Sequence, residues 1–322
     1  MRRKPFVVLV LFVLPSFASA AKGQEVIDLE EAKQGPDFLV QGEYLGEGLW
    51  PGGEQSKIGA QVIAQGDHKF RAVFYRGGLP GDGWKRGDDR LFMDGKLEGK
   101  EVALTGKELF AGRIGNSALT VQNSGGEQTA KLTRIERKSP TLDAKPPKDA
   151  VVLFDGSNVN HFPGAKLTDM KTLQAGCNLK EKYKIARLHL EFLLSWKPKA
   201  RGQGRSISGV YLAGIPEIQV LDSFGLEGAN NECGGFYGRR EPDVNMCFPP
   251  LVWQTYDVEF SKPQTRAGGE PNENILATVR HNGFIVHENY DTGKKDWPPS
   301  GMNLQAHGNR VQYRNIWLVE AE

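Results

Sequence analysis

The chain has 322 residues, including 41 Lys and Arg, 39 Asp and Glu, and 39 Gly. This length suits one large domain or two medium ones. The abundant Gly and the near absence of long helical periodicity predict a β-rich protein with many tight turns. Nearly balanced charge argues against a nucleic-acid partner, which requires a basic face, and suits a neutral ligand such as a sugar.

The first 20 residues have the pattern of a secretory signal peptide. Arg2, Arg3 and Lys4 precede an apolar stretch, residues 6–14, that is too short to span a bilayer, and residues 18–20 are small enough for cleavage. We therefore expect an exported protein, periplasmic or extracellular, with no membrane span after cleavage. An uncleaved membrane anchor is the alternative.

Residues 25–137 are predicted to form a small β-rich domain. Asp28 is placed to cap a short helix over residues 28–33, which Gly35 and Pro36 end. Strands and turns follow, and Asp94-Gly95 is typical of a hairpin turn. His68 is the single histidine of this domain, and no group of catalytic residue types accompanies it, so the sequence does not indicate the domain's role.

Residues 138–149 contain three Pro and three Lys, and we interpret them as an interdomain linker. Residues 150–322 then show about ten short strands separated by turns. The clearest hairpin joins residues 275–281 to residues 284–289 through Asn282-Gly283. This pattern predicts an all-β fold in which the C-terminal domain is a two-sheet antiparallel sandwich of the jelly-roll kind.

Three cysteines are present, at positions 177, 233 and 247. Export permits a disulfide, and Cys233 and Cys247 flank a Gly-rich loop, so we expect these two to pair. Three free thiols are the alternative, and Cys177 is expected to be buried. Cys-x-x-Cys and His-x-x-x-His spacings are absent from the sequence, so a structural zinc site is not predicted.

Five C-terminal segments alternate apolar residues with polar ones that can form hydrogen bonds or transfer protons. They are residues 208–212, 217–223, 253–257, 304–308 and 313–317. Because successive side chains of a strand point to opposite faces, one face can fill a core while the other lines a polar groove. Strands of this kind lying side by side would form a concave site large enough for a carbohydrate.

Glu217 and Asp222 are candidate catalytic carboxylates. Glu217 shares a strand face with Gln219, and a bulge near the strand end would bring Asp222 to the same side. The pair would then act as acid and nucleophile in glycoside cleavage. The spacing resembles the Glu-x-Asp-x-x-Glu motif of retaining β-glucanases of the laminarinase type, although Gln219 and Asp222 depart from it. Contacts with solvent or backbone at a strand end are the alternative.

His307 and Arg314 are further candidates. His307 alternates with Gln305 on one strand face and precedes Gly308, so it can serve as a base beside a bound ligand. Arg314 lies in the next strand, where it can hold sugar hydroxyls, stabilise an oxyanion or form a surface salt bridge.

Aromatic and amide side chains near turn-rich loops are candidate ligand contacts. Tyr237 and Trp253 are placed to stack on sugar faces, although most aromatic residues belong to a core. Asn245 lies between Cys233 and Cys247 in the sequence, and we expect it at the opening of the same concave site. The four other C-terminal histidines are interpreted as structural: His161, His189, His281 and His287.

Taken together, these segments resemble the 3-keto-disaccharide hydrolase domain family. The resemblance covers residues 150–320 and rests on an ordered set of motifs: Leu153-Phe154-Asp155-Gly156, Ser208-Gly209-Val210-Tyr211-Leu212, Glu217-Ile218-Gln219-Val220-Leu221-Asp222-Ser223, Trp253-Gln254-Thr255-Tyr256-Asp257, Asn282-Gly283, Leu304-Gln305-Ala306-His307-Gly308 and Arg314-Asn315-Ile316. It implies a concanavalin-like sandwich that cleaves glycosides oxidised at C3.

In such a reaction His307 would remove the C2 proton, and Arg314 or a bound divalent cation would stabilise the oxyanion. Glu217 and Gln219 would hold hydroxyls or that cation. Ala306 departs from the family, which often has Asp there, and so removes a possible partner of His307. The alternatives are a non-catalytic, lectin-like carbohydrate-binding protein, or a β-glucanase that uses Glu217 and Asp222.

Overall fold

A computed structural model describes residues 25–107, 110–262 and 273–321. The predicted signal peptide lies outside the described residues. Within the described ranges, no helix combines the length and apolar character needed to cross a membrane.

Two short helices, α1 (Leu29–Ala32) and α2 (Pro36–Val40), open the described chain. The predicted cap of the first helix is confirmed, since the Asp28 carboxylate accepts a hydrogen bond of 2.7 Å from the Glu31 N–H. The second helix was not predicted. Pro36, expected only to end α1, also begins α2, because a proline at the first helical position lacks only an N–H that would have no helical partner.

Ten strands follow, and eight of them close into an antiparallel barrel in the order β1-β10-β9-β8-β7-β6-β3-β2. The ten strands are β1 (Gly42–Trp50), β2 (Glu54–Gly66), β3 (Lys69–Arg76), β4 (Leu79–Pro80), β5 (Gly83–Trp84), β6 (Arg90–Glu98), β7 (Glu101–Gly106), β8 (Ala111–Gly115), β9 (Ala118–Gln122) and β10 (Gln128–Ile135). Alternate residues such as Val62, Phe70 and Leu104 form a buried apolar cluster of the barrel.

The hairpin turn predicted at Asp94-Gly95 is wrong, because both residues lie inside β6. Gly95 faces Leu104 of β7, and a Cβ at Gly95 would overlap the Ala103 carbonyl. Asp94 binds Arg71 of β3 at 2.8 and 2.9 Å. The glycine therefore allows close approach of two strand backbones rather than a turn.

Residues 151–320 form two antiparallel sheets that share a core, which confirms the all-β sandwich. The strands are β11 (Val151–Phe154), β12 (Leu173–Gln174), β13 (Cys177–Asn178), β14 (Ile185–Leu193), β15 (Ser208–Leu212), β16 (Ile218–Val220), β17 (Trp253–Ser261), β18 (Leu276–His281), β19 (Phe284–Asp291), β20 (Met302–Leu304) and β21 (Gln312–Glu320). The larger sheet has the order β11-β21-β14-β17-β18-β19, with β12 beside β21, and the smaller has the order β13-β20-β15-β16.

The core of the sandwich follows from strand alternation in both sheets. Leu190 and Phe192 of β14 lie in the same buried cluster as Val210 of β15 and Leu304 of β20. The hairpin at Asn282-Gly283 is confirmed, and both residues have the positive φ (49° and 79°) that a two-residue turn requires.

Residues 138–149 lie against the outer face of the larger sheet. Ser139 Oγ is 2.6 Å from Thr255 Oγ1, and the Asp143 N–H donates to the Glu191 carboxylate at 2.6 Å. The barrel also packs on the sandwich, since Tyr75 and Trp84 belong to the same buried cluster as the sandwich core. Hydrogen bonds thus fix residues 138–149, which connect the barrel to the sandwich, against the larger sheet.

All three cysteines are buried free thiols, so the predicted Cys233–Cys247 disulfide is not formed in this structure. The two thiols lie within hydrogen-bonding reach of each other, and each has a further polar neighbour. Cys233 Sγ is 3.3 Å from the Tyr256 hydroxyl, and Cys247 Sγ is 3.5 Å from the Leu221 carbonyl. Burial raises the pKa of the Cys177 thiol to about 12 and that of Cys247 well above its usual value, so both remain protonated.

Candidate functional site on the smaller sheet

The outer face of the smaller sheet brings polar residues of three neighbouring strands together. β15 lies between β16 and β20, with Gly209 opposite Gln219 and Tyr211 opposite Asn303. Val210, between the two outward residues, points into the core. Strand alternation therefore presents Gly209, Tyr211 and Gln219 on one surface.

Gly209 lies beneath the side chain of Glu217 on this surface. A Cβ at this position would overlap the Glu217 carboxylate. The Gln305 N–H, one residue beyond the end of β20, donates to the Gly209 carbonyl at 2.9 Å. The glycine therefore makes room for the Glu217 carboxylate, which lies directly over it.

A directed chain of hydrogen bonds ends at Glu217. Gln305 Nε2 donates to the Tyr211 hydroxyl at 3.1 Å, and this hydroxyl donates to Glu217 Oε2 at 2.6 Å. Burial, together with the bond and charge of Glu217, raises the pKa of Tyr211 to about 12, so the phenol remains a neutral donor.

Burial also raises the pKa of Glu217, against the opposing effects of the Tyr211 hydrogen bond and of the nearby His307. Removing a carboxylate from water disfavours its charged form. Glu217 therefore holds a proton more readily than an exposed glutamate does, which is the property of a general acid.

Two buried amide oxygens near Glu217 lack a hydrogen-bond donor among the described residues. They are Oε1 of Gln219 and Oε1 of Gln305. The Gln219 amide nitrogen, by contrast, donates to Gln203 Oε1 at 2.8 Å. Because an unpaired buried acceptor is costly, these oxygens are suited to accept hydrogen bonds from ligand hydroxyls.

His307 and Tyr237 lie close to Glu217. His307 is exposed, and its charge lowers the pKa of Glu217. Its imidazole has no hydrogen-bond partner in the described part of the chain. The Tyr237 N–H donates to the Glu217 carbonyl at 2.9 Å, and its side chain is 46% exposed, beside Tyr211 at 38%. Two tyrosine rings and a histidine are thus accessible to a ligand.

Asp222 and Asn245, two predicted site residues, lie elsewhere. The Asp222 carboxylate is buried and binds Arg205 at 2.5 and 3.0 Å, so the expected bulge does not bring it to Glu217. Asn245 is also buried, and its amide nitrogen donates to the Ser223 carbonyl at 2.7 Å. Asp222 neutralises a buried guanidinium, and Asn245 braces a loop.

Arg314 and Trp253 lie on the larger sheet, outside the Glu217 cluster. Arg314 Nε donates to Glu191 at 2.6 Å, and its Nη2 donates to Asp143 at 2.8 Å. The guanidinium stacks over Trp253 at 4.2 Å. The structure therefore unites Glu217, Gln219, Gln305, His307 and Tyr237, and separates them from Asp222, Arg314, Asn245 and Trp253.

Sequence reasoning missed Tyr211 and Gln203 as site residues. Tyr211 could have been predicted, because it shares the outward face of the segment 208–212 with Gly209. Gln203 lies in a short 3-10 turn, Gly202–Gly204, and no local signal links it to Gln219.

A metal centre is not evident from side-chain clusters. Across residues 25–107, 110–262 and 273–321, no group of three or more His, Cys, Asp or Glu side chains is placed to hold an ion. The expected divalent cation therefore has no ready-made set of ligands in the described part of the chain.

Comparison with known proteins gives one match to a family. Residues 149–319 match the model of a 3-keto-alpha-glucoside-1,2-lyase-like domain. No curated protein matches the chain significantly. Two crystal structures of candidate glycosyl hydrolases from Parabacteroides distasonis are similar to 54% of this chain. In one, the match spans 85% of that chain with 24% sequence identity and a TM-score of 0.44. In the other, it spans 94% of that chain with 15% sequence identity and a TM-score of 0.39. With scores below 0.5, neither likeness carries a functional argument.

Proposed function

Because the chain belongs to the 3-keto-alpha-glucoside-1,2-lyase-like domain family, we propose that it cleaves glycosides whose sugar ring carries a ketone at C3. Family membership supports a glycoside-acting function. The finer proposal draws its support from the chain of hydrogen bonds that runs from Gln305 through Tyr211 to Glu217, whose carboxylate lies over Gly209. This arrangement is the single observation that carries it.

The reaction begins with loss of the proton at C2, which the neighbouring ketone acidifies. His307 takes this proton, and the electron pair of the C2–H bond forms an enediolate. The enediolate regenerates the C3 ketone, forms the C1–C2 double bond and breaks the C1–O bond. Glu217 protonates the departing oxygen, in keeping with its raised pKa.

Water then adds across the double bond. The water oxygen bonds to C1 as a hydroxyl and the second water proton passes to Glu217, while protonated His307 returns a proton to C2. Both side chains end in the state in which they began, and the net reaction is hydrolysis. An elimination of this kind needs one base, one acid and an oxyanion donor, and does not require two matched carboxylates.

Tyr211 takes the stabilising role that the sequence suggested for Arg314. While Glu217 is protonated, the neutral Tyr211 hydroxyl is free to donate to the C3 oxygen, where negative charge develops. The Oε1 atoms of Gln219 and Gln305 would accept hydrogen bonds from sugar hydroxyls.

The test is product analysis with 3-keto-trehalose and with unoxidised trehalose, run in D2O with and without a chelator. Nuclear magnetic resonance follows both deuterium uptake at C2 and cleavage. We expect only the oxidised sugar to react. His307→Ala should lose exchange and cleavage together, by roughly 10²-fold or more. Glu217→Gln should retain exchange and lose cleavage. His68→Ala, in the barrel, is the matched control and should keep both.

Retention of full cleavage by His307→Ala would overturn the assignment of the base. If neither sugar is cleaved while binding persists, the lectin-like alternative is favoured, for which the exposed rings of Tyr211 and Tyr237 are the supporting observation. The β-glucanase alternative predicts cleavage of an unoxidised β-glucan. It has lost its second carboxylate, because Asp222 is bound to Arg205.

A further inference from the structure

A second cavity, of about 250 Å³, lies between the barrel and the sandwich, away from Glu217. Its apolar walls come from both folds: Phe38 and Leu39 of α2, and Pro250, Leu251 and Val252 of the segment before β17. Gln41, Gly42 and Arg134 line its polar side. Junctions between domains are common places for small-molecule sites.

Gln41 supplies the first unused hydrogen-bond donor of this cavity. Its side chain is 2% exposed, and its Oε1 accepts a hydrogen bond of 3.0 Å from the Ala64 N–H. Its Nε2 has no partner among the described residues. A buried amide with one end held and the other unpaired is costly unless a ligand or water completes it.

Arg134 supplies the second unused hydrogen-bond donor of this cavity. Its Nη2 donates to the Gln41 carbonyl at 2.9 Å, whereas its buried Nε has no partner within the described chain. The guanidinium lies against Gly42, where a Cβ would come within 2.9 Å of Nε. Gly42 has a φ of 152°, so the backbone here also favours glycine.

The charge around the cavity favours an anion. Four cationic side chains line it (Lys33, Arg134, Arg137 and Lys138), against the two carboxylates of Glu43 and Glu136. Two of these cations are already paired, because Arg137 binds Glu43 at 2.6 and 2.7 Å and Lys33 binds Glu30 at 2.8 Å. Arg134 has no ion pair among the described residues, so its charge is available to a ligand.

We propose that this cavity binds a small monocarboxylate with an apolar body. The carboxylate accepts hydrogen bonds from Arg134 Nε and Gln41 Nε2, which satisfies both buried donors at once. The apolar body packs against Leu39, Leu251 and Val252, where its burial adds hydrophobic stabilisation. A sugar fits this cavity poorly, because the walls are mostly apolar and the two free polar groups are both donors, one of them on the positively charged Arg134.

The experiment is calorimetric titration of the full chain with sodium octanoate, and with octan-1-ol as the neutral analogue. We expect octanoate to bind at least about tenfold more tightly than octanol, because a buried charge-assisted hydrogen bond contributes more than about 1.4 kcal/mol. Octanoate should also raise the unfolding temperature in a concentration-dependent way.

Three variants decide the matter. Arg134→Met should weaken octanoate binding at least about tenfold and leave octanol binding almost unchanged. Leu39→Trp, at a position 51% exposed, keeps both donors and should block both probes by filling the cavity mouth. Arg113→Met, on β8 outside the cavity, is the matched arginine control and should change neither. If an Arg134 variant fails to fold, Leu39→Trp still tests the site.

Equal binding of octanoate and octanol, or unchanged octanoate binding in both Arg134→Met and Leu39→Trp, would overturn the proposal. Absence of octanoate binding to the unmodified chain would do the same. The inference is independent of the sugar chemistry, and Glu217→Gln should bind octanoate as the unmodified chain does.

Discussion

The outer faces of the two sheets each carry a glutamate among polar neighbours, but these glutamates differ in the number of donors that reach them. Glu191, on the larger sheet, accepts from Arg314 Nε at 2.6 Å, Asn315 Nδ2 at 2.9 Å and the Asp143 N–H at 2.6 Å. Glu217, on the smaller sheet, accepts from Tyr211 alone among the side-chain donors described. The Glu191 carboxylate therefore has three hydrogen-bond donors within the protein, whereas the Glu217 carboxylate has one side-chain donor and can accept more.

The opposite pKa shifts of the two groups follow from this difference. Both are raised by burial, but at Glu191 the bonds from His189, Asn315 and Arg314 prevail and lower the pKa to about 2. At Glu217 burial prevails over the Tyr211 bond, and the pKa is raised. Two similar strand patterns therefore produce a structural anion in one sheet and a candidate proton donor in the other.

The comparison is tested most strongly by removing each carboxylate. Glu191→Ala leaves Arg314, Asn315 and the Asp143 N–H without their common acceptor, and should lower the free energy of unfolding by about 3–5 kcal/mol. Glu217→Ala should cost less than about 1 kcal/mol. Denaturant unfolding of the two variants measures both values, and equal losses would contradict the contrast.

Acid unfolding tests the same contrast through linkage. The folded-state pKa of Glu191, about 2, lies below its ordinary value of 4.5, so its contribution is present above pH 4.5 and is lost as the pH falls towards 2. The loss should be on the order of 2–3 kcal/mol. Burial lowers the pKa of His189, but Asp257 and Glu191 raise it by more. His189 is therefore protonated in the folded and unfolded states over this window, and it does not change how the free energy of unfolding depends on pH.

Unfolding free energies of the unmodified chain and of Glu191→Gln, measured from pH 5 to pH 2, check this prediction. The variant should show a shallower decline, and parallel curves would exclude Glu191 as the source. Glu217→Gln serves as the matched substitution on the smaller sheet, where no comparable flattening is expected.

Tyr211→Phe tests the environment of Glu217, the carboxylate with a single side-chain donor. The phenol lowers the pKa of Glu217 and is proposed to stabilise the C3 oxyanion. Its removal should reduce kcat by roughly 10²-fold, and should move the limb of the kcat/KM profile that Glu217 controls to higher pH. Tyr237→Phe is the control, because Tyr237 meets Glu217 through its backbone N–H. A limb that stays in place would show that another group controls it.

Two Gly-containing dipeptides show where local sequence was sufficient and where it was not. Asn282-Gly283 forms the predicted hairpin turn. Asp94-Gly95 carries a similar signal but lies in the middle of β6, paired on both sides with β3 and β7. The closed barrel outcompetes the local turn preference, because both neighbouring strands and the Arg71–Asp94 ion pair require an extended backbone there.

The candidate site was predictable as far as strand alternation reaches. Glu217 and Gln219 were placed on one face, and Gln305 was placed near His307, because alternation is a property of the local backbone. Alternation did not reveal that Asp222 would bind Arg205 or that Arg314 would bind Glu191. Those pairings depend on residues 17 and 123 positions away, respectively.

By itself, the sequence determined the all-β class, the cap of the first helix, most strands and the side chains that face outward, since all of these follow from short-range periodicity and turn chemistry. Only the tertiary structure decided that eight N-terminal strands close into a barrel. It also decided which outward polar groups find donors, as Glu191 does, and which remain open, as at Gln219, Gln305 and Gln41. The reason is physical: a hydrogen bond is completed only when segments far apart in the chain are brought within about 3 Å of each other.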